Sequence, residues 1–420
     1  MHPNKIDSVM RKVAKVADEL RQDLPDGYEG SYRTIPEHWD EQFLIEDGLK
    51  AYEDIRKDLE KWNEKFSDNS IDAVIREAIS ITKKHGIEEA KRRFVEECSK
   101  IENYATEVTV YIPLGGIQID NQVQSPISLG NIELLHINDE VLGDIKTQSS
   151  AITKTMRHSS EEIEHFIEED NRSLSENFLH KVCATYRIVA EPSKALEVAN
   201  KETQKVLNLL RYAIPSLYNR SQLDIKVDID SLVPNSTQKT IVLSPTFFGK
   251  QARRYHQNCY LDLKAIDILE ALGVFEVSKI LEKPRAELNG FEDVLLRGIH
   301  WFGKSQTHPD VENEFLNLTT CLEVFFTPPS GDPISNTIAE STALWIGQDL
   351  EERKRIKRRI KSLYAQRSKV SHGGSNSITK QDIADLRILA RRVVTKMIER
   401  RSQIMEKRDI SRWIEDQKLS

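Results

Sequence analysis

Arg367 and His372 are the residues whose types and spacing could do chemistry. They stand in the stretch RSKVSHGG, 367–374, in R-x4-H spacing. Arginine presents a planar fork that can hold two phosphate oxygens at once. It also stabilises charge developing on a phosphorane. Histidine titrates near neutral pH and can move the proton of a ribose 2′-hydroxyl. Together the two suit a phosphodiester. The spacing alone says little, because a chain of 420 residues is expected to hold about one such match by chance. Arg367 also reads as a complement to the negative end of a helix dipole, or as a side chain snorkelling from a bundle surface. His372 also reads as a loop residue beside Gly373 and Gly374, which stop the helix.

The element that must position Arg367 is the run DLEERKRIKRRIKSLYAQ, 349–366, which reads as a helix. Its apolar positions are Ile356, Ile360, Leu363 and Tyr364, and the next position on that face is Arg367. An arginine that ends an apolar stripe points towards packed surface. There it needs an anionic partner or a ligand. Within this helix, 353–361 holds seven basic residues in nine. With the isoleucines in the core, Arg355, Lys357, Arg358 and Lys361, joined by Lys369, are candidate contacts for a polyanion backbone. The simpler reading is a solvated face partly offset by the acids at 349–352. Arg391, Arg392, Arg400 and Arg401 of the final helix add further positive charge.

Outside that helix, the chain reads as α+β and mostly α. Residues 1–104 read as a helical region, with helices over IDSVMRKVAKVADELRQ, EQFLIEDGLKAYEDIRKDLEKWNEKF and SIDAVIREAISITKKHGIEEAKRRFVEECSKI, and a loop at DLPDGYEGSYRTIPEH. Residues 105–284 read as a middle α+β domain, regulatory or sensing, with a small sheet. Its strand candidates are TEVTVYIPLGGIQID (two strands around a hairpin turn), NIELLHI, CATYRIVA, SQLDIKVDIDSLV and KTIVLS. Helices are expected at 159–168, where Ser159 and Glu162 have capping-box spacing, at 193–213, and over LKAIDILEALGVFEVSKILEK. Residues 285–410 read as a bundle of about five helices. The last of these begins at Thr379 and Asp382, also in capping-box spacing, and buries Ile383, Leu386, Ala390, Val393 and Met397.

Net charge is −7, so the whole chain is no polycation and any nucleic-acid contact must come from a local patch. No apolar run approaches the length of a membrane span, and the charged N-terminus has no signal-peptide pattern, so a cytoplasmic protein is expected. Cys98, Cys183, Cys259 and Cys321 are scattered, which argues against a zinc knuckle or a disulfide framework.

The order LNLTTCLEVFF, ISNTIAESTALWIG and IKSLYAQRSKVSHGG resembles the HEPN superfamily, in particular its ApeA-like branch. The resemblance covers about residues 285–405. It implies a C-terminal helical bundle that forms a homodimer, with the R-x4-H elements of two protomers meeting in one cleft. It also implies an endoribonuclease that uses no metal or other cofactor and cuts host RNA, such as tRNA, in abortive-infection defence against phage. Arg367 and His372 are the positions that match the family's catalytic pair. Ser368 stands where many HEPN nucleases carry Asn, Asp or His; a serine can hydrogen-bond a phosphate but carries no charge. Glu323, in TTCLEVFF, resembles a position that is often acidic in this branch. It is a candidate to orient Arg367 through a carboxylate–guanidinium pair, or else a rim salt bridge.

The alternative is a HEPN bundle that grips RNA or a partner protein without cutting. A toxin held by a nucleotidyltransferase partner is a remoter reading. The N-terminal and middle regions are expected to restrain the nuclease or to sense a trigger, a phage-derived protein being one candidate. Among other groupings, His158, Glu162 and His165 have the residue types of a metal site but read as a solvated acidic face. His300 reads as a packed histidine, and ARRYHQNCY as a packed turn rather than an RNA-contacting loop.

Overall fold

The computed structural model describes residues 3–22, 24, 30–37, 40–156, 160–218, 225–232, 237–244, 247–254, 258–307, 310–327, 334–371 and 378–419. The fold is α+β and mostly helical, with a small sheet. The chain divides into two compact units, one of Met1–Val110 with Tyr186–Asn200, the other of Tyr111–Thr185 with Lys201–Ser420.

The first unit holds α1 (Pro3–Glu19), β1 (Tyr32–Glu37), β2 (Asp40–Ile45), α2 (Glu46–Asp58), α3 (Asp68–His85) and α4 (Ile87–Tyr104). Val9, Val13 and Val16 recur at helical spacing along α1. They are buried with Tyr52 and Ile55 of α2, Ile75 and Ile79 of α3, and Phe94 of α4. Each such side chain contributes about 1.5–3 kcal/mol by leaving water. One expectation fails here. Part of the expected loop and the start of the helix expected from EQFLIEDGLK pair as a hairpin, with Tyr32 opposite Ile45. Tyr32 packs diagonally on Phe43, their ring centroids 5.8 Å apart, while Leu44 and Ile45 are buried. Such cross-strand contacts outweigh helix propensity over these few residues.

From α4 the chain runs into β3 (Thr106–Gly115), then β4 (Ile117–Ile119), β5 (Ile127–Leu129), β6 (Ile132–His136), α5 (Asp139–Met156), α6 (Ser160–Phe178), β7 (Val182–Ala190) and α7 (Pro192–Leu217). It continues through β8 (Asp228–Ile229), β9 (Thr237–Ser244), β10 (Phe247–Arg254), β11 (Cys259–Leu261), α8 (Leu263–Ala271) and α9 (Val274–Leu281). The five-stranded sheet has the order β5-β6-β7-β3-β8. It is antiparallel where β6 meets β5 and β7, and where β3 meets β8.

The Gly115–Gly116 turn does not close the expected hairpin. Gly116 has φ +74°, and a Cβ there would lie 1.8 Å from the Lys226 carbonyl oxygen, so only glycine admits that backbone. Beyond the turn, β4 pairs in parallel with β11 (Ile117 opposite Cys259). Of the expected strand at SQLDIKVDIDSLV, Asp228–Ile229 pair and Asp230–Leu232 form a 3-10 turn, while part of the stretch lies outside the described residues. Helix α5 was not expected; it packs on α6. The long helix expected from 263 is split into α8 and α9 at Gly273, which takes the left-handed conformation (φ +73°). Ser159 and His158 lie outside the described residues, as does the side chain of Glu162.

The chain then folds as α10 (Gly290–Ser305), α11 (Val311–Phe326), α12 (Ile334–Ile346), α13 (Leu350–Ser371), α14 (Lys380–Glu399) and α15 (Lys407–Leu419). Helices α10 and α11 touch closely because Gly298 leaves room for the ring of Phe325; a Cβ there would sit 2.1 Å from its Cζ. Helix α14 carries the expected capping box, with Thr379 and Asp382 each bonding the other's backbone N–H. Its stripe of Ile383, Leu386, Ala390, Val393 and Met397 is buried. The last helix, expected to run on through ERRSQIMEK, instead ends at Glu399, and α15 follows, burying Ile410 and Ile414. The four cysteines are buried.

Candidate functional site

Helix α13 starts at a polar cap. The Asp349 carboxylate accepts the Glu352 N–H at 2.8 Å, and the Glu352 carboxylate accepts the Gln348 N–H at 2.8 Å. Acids at this end also complement the positive pole of the helix. Along the helix, Ile356, Ile360, Leu363 and Tyr364 are all buried, as their period requires. Arg367 follows one turn later on the same face. Its side chain is 36% exposed, and Glu323 of α11 faces it with 19% exposure.

Arg367 meets Glu323 edge-on. Nε lies 2.8 Å from Oε1, and Nη2 donates to Oε2 at 3.2 Å. The shorter approach is an ion-pair contact that misses hydrogen-bond geometry, so the directional bond is the one from Nη2. This leaves the far edge of the guanidinium, with Nη1, for another anion. One turn before Arg367, the Tyr364 hydroxyl donates to the Thr319 carbonyl at 3.2 Å. One turn on from Thr319 stands Glu323, so two successive turns of α13 are tied to two successive turns of α11. Burial, and then the nearby Glu323 carboxylate, push the Tyr364 hydroxyl far above its ordinary pKa, so it stays protonated as a donor.

Arg367 and Glu323 are therefore brought together. The backbone of Ser368 and Lys369 lies within α13, but their side chains, and the whole of His372, are outside the described residues. The candidate backbone contacts are arranged otherwise. Successive helical residues turn by about 100°, so Arg358 projects about 180° from Arg367, Arg355 and Lys361 about 120°, and Lys357 about 80°. Most of the basic run is also answered by acids. Lys357 pairs with Glu340 at 2.6 Å, Lys354 with Glu351 at 2.9 Å, and Arg359 with Asp382 at 2.7 Å and Asp385 at 2.8 Å. Arg355 is exposed, 3.9 Å from Glu352. Among the described residues Arg358 and Lys361 have no acidic partner, and both are exposed.

Tyr364 and Thr319 were not singled out for the site, although a tyrosine in a leucine and isoleucine stripe signals a hydroxyl that must find a partner when buried. His300 Nδ1 accepts from the Asn208 amide N–H at 3.2 Å, and the ring packs beside Trp301. Among the described residues no group of three or more His, Cys, Asp and Glu is arranged to hold a metal ion, and no helix is long and apolar enough to cross a membrane. Comparison with protein-family models, with curated proteins and with solved structures finds no match.

Proposed function

We propose that this chain is an endoribonuclease of the HEPN type, with Arg367 and His372 as its catalytic pair. The observation that carries the reading is the edge-on pair of Arg367 with Glu323 at the end of a buried helical stripe. It holds one edge of a guanidinium against a carboxylate and leaves the side chain partly exposed, five residues before the motif histidine. A pre-oriented cation of this kind stabilises charge that develops in a transition state at little reorganisation cost.

In the proposed reaction a ribose 2′-oxygen attacks the adjacent phosphorus, losing its proton to a histidine. The bond from phosphorus to the 5′-oxygen breaks, and that oxygen takes a proton from an acid. The products are a 2′,3′-cyclic phosphate and a 5′-hydroxyl. In-line transfer gains from both a base and an acid. One protomer supplies a single motif histidine, so a homodimer that joins two copies of the motif supplies both. Arg358, Lys361, Arg355, Lys357 and Lys369 would meet the RNA only by wrapping around α13 or by reaching a partner protomer's substrate. Host RNA such as tRNA is the proposed substrate and abortive defence against phage the proposed context, in the cytoplasm, with a phage-derived protein as the proposed trigger.

A second reading is favoured by the same pair. A guanidinium already neutralised by Glu323 also suits a bundle that binds RNA or protein without cutting it.

The test is incubation of the purified chain, Arg367→Ala and His372→Ala with total bacterial RNA in EDTA, alone and with phage-infected lysate, followed by analysis of fragment ends. Cleavage by the wild type only, leaving cyclic phosphates, is expected. RNA retention without any cleavage under both conditions would select the binding module.

A further inference from the structure

A cluster of cations lines a cavity at the other end of α13. Arg353 and Arg367 are fourteen residues apart on that helix, about 21 Å along its axis. Around Arg353 lies a cavity of about 560 Å³, in the range of small-molecule sites. It is walled by the end of α12, the first turn of α13, and by α14, α15 and Ser216 of α7.

Five cations line it: Arg353, Arg391, Arg392, Lys396 and Arg400. Two have carboxylate partners: Arg392 meets Glu352 at 2.9 Å, and Lys396 meets Glu399 at 2.7 Å. Among the described residues the other three have none within ion-pairing distance, though all are partly buried. Arg353 donates Nε to the Gly347 carbonyl at 3.2 Å, and Arg391 donates Nη1 to the Ser216 hydroxyl at 3.1 Å. These neutral acceptors leave the charge unanswered. Arg400 lies over the Trp413 ring at 4.1 Å and the Trp345 ring at 5.0 Å. Such stacking uses the face of a guanidinium and leaves its in-plane N–H groups free to donate.

Partly buried guanidinium groups without anions are costly, and their convergence on one concavity needs a reason. Burial lowers the pKa of both Arg391 and Arg400, and at Arg400 the nearby Glu399 carboxylate offsets this only in part. The pattern of three forks, free edges and a concave wall matches a ligand carrying several phosphoryl oxygens.

We propose that this cavity binds the phosphate groups of a nucleotide-sized ligand through Arg353, Arg391 and Arg400. The phosphates come either from a free oligophosphate or from an RNA backbone; the chemistry is shared. The site is separate from Arg367 and does not depend on cleavage.

The test is titration calorimetry of the full-length chain with inorganic triphosphate, ATP, adenosine and a short single-stranded RNA. At least one phosphate-bearing probe is expected to bind, and adenosine is not. Arg391→Met and Arg400→Met are each expected to weaken binding about tenfold, the scale of losing one charge-assisted fork. Lys279→Met, on α9, leaves it unchanged. Binding of triphosphate and ATP that the variants weaken assigns a free oligophosphate; RNA binding alone that they weaken assigns a nucleic-acid backbone. If Arg391→Met does not fold, Arg391→Lys keeps the charge, loses the fork, and is expected to weaken binding about threefold. The proposal is overturned if no phosphate-bearing probe binds, if adenosine binds as well as ATP, or if variants that retain the wild-type circular dichroism leave affinity unchanged.

Discussion

Glu323→Gln keeps the shape of the side chain and removes its charge from the Arg367 pair. The contact is 2.8 Å at its closest, with the partners 36% and 19% exposed. Charges about 4 Å apart attract by about 4 kcal/mol at the effective dielectric of a protein surface. Solvent reaches Arg367, so screening removes much of this; fully exposed pairs retain only about 0.2–1 kcal/mol. Glu323 is the more buried partner, which places the coupling above that range, at about 1–2 kcal/mol. The assay is a double-mutant cycle of Glu323→Gln and Arg367→Met, read by urea unfolding at low and high salt. Glu323→Gln alone should cost more than the coupling, about 2 kcal/mol, because it leaves a partly buried guanidinium unanswered. The coupling should shrink in high salt. A coupling within about 0.5 kcal/mol of zero, the scatter of independent sites, would refute the claim that Glu323 holds Arg367. In the cleavage assay Arg367→Lys then separates charge from geometry, since lysine cannot make the edge-on contact. A fully active Arg367→Lys would show that orientation is not what the pair provides.

Gly298→Ala should destabilise the bundle by about 1–3 kcal/mol, because the added methyl meets the Phe325 ring at 2.1 Å; thermal unfolding reads this, and an unchanged midpoint counts against the tight α10–α11 contact. Ile360→Ala, at a fully buried position of the α13 stripe, should cost about 2–5 kcal/mol in urea unfolding, and a loss under ~1 kcal/mol would mean the stripe is not packed. For Asp382, burial works to raise the carboxyl pKa, but bonds from Thr379 and Arg359 outweigh it, and the folded value lies below the ordinary 3.8. A depressed folded pKa gives stability that is present above the unfolded value and lost as pH falls through the folded one. Asp382→Asn should therefore flatten the loss of stability below about pH 4 and cost about 1 kcal/mol near neutrality through the weakened cap, as unfolding across pH would reveal.

Local order in the chain was legible where neighbouring residues decide it. The period of α13 and α14, the capping box at Thr379 and the rows of buried residues follow from spacing alone, because side chains three and four apart share a helical face. Where a competing contact came from farther away, the reading failed. The Tyr32–Phe43 packing made a hairpin of a loop and a helix start, and the approach of Lys226 at Gly116 sent β4 to β11. Gly273 could have been read as a helix break, since it lies between two apolar runs, but its left-handed conformation was fixed only on folding.

The sequence by itself determined that Arg367 ends an apolar stripe and that a guanidinium there needs an anion. It could name Glu323 only as a candidate, since the two are separated by 44 positions. The tertiary structure joined them, and it also decided which cations are answered. Glu340, Asp382 and Asp385 quiet much of a basic run that looks uniformly positive in one dimension. Arg353, Arg391 and Arg400, spread over two helices and a helix end, converge on one cavity. The physical reason is range. A helix is set by bonds within a few residues, whereas the field at a charge is set by whichever groups packing brings within a few ångströms.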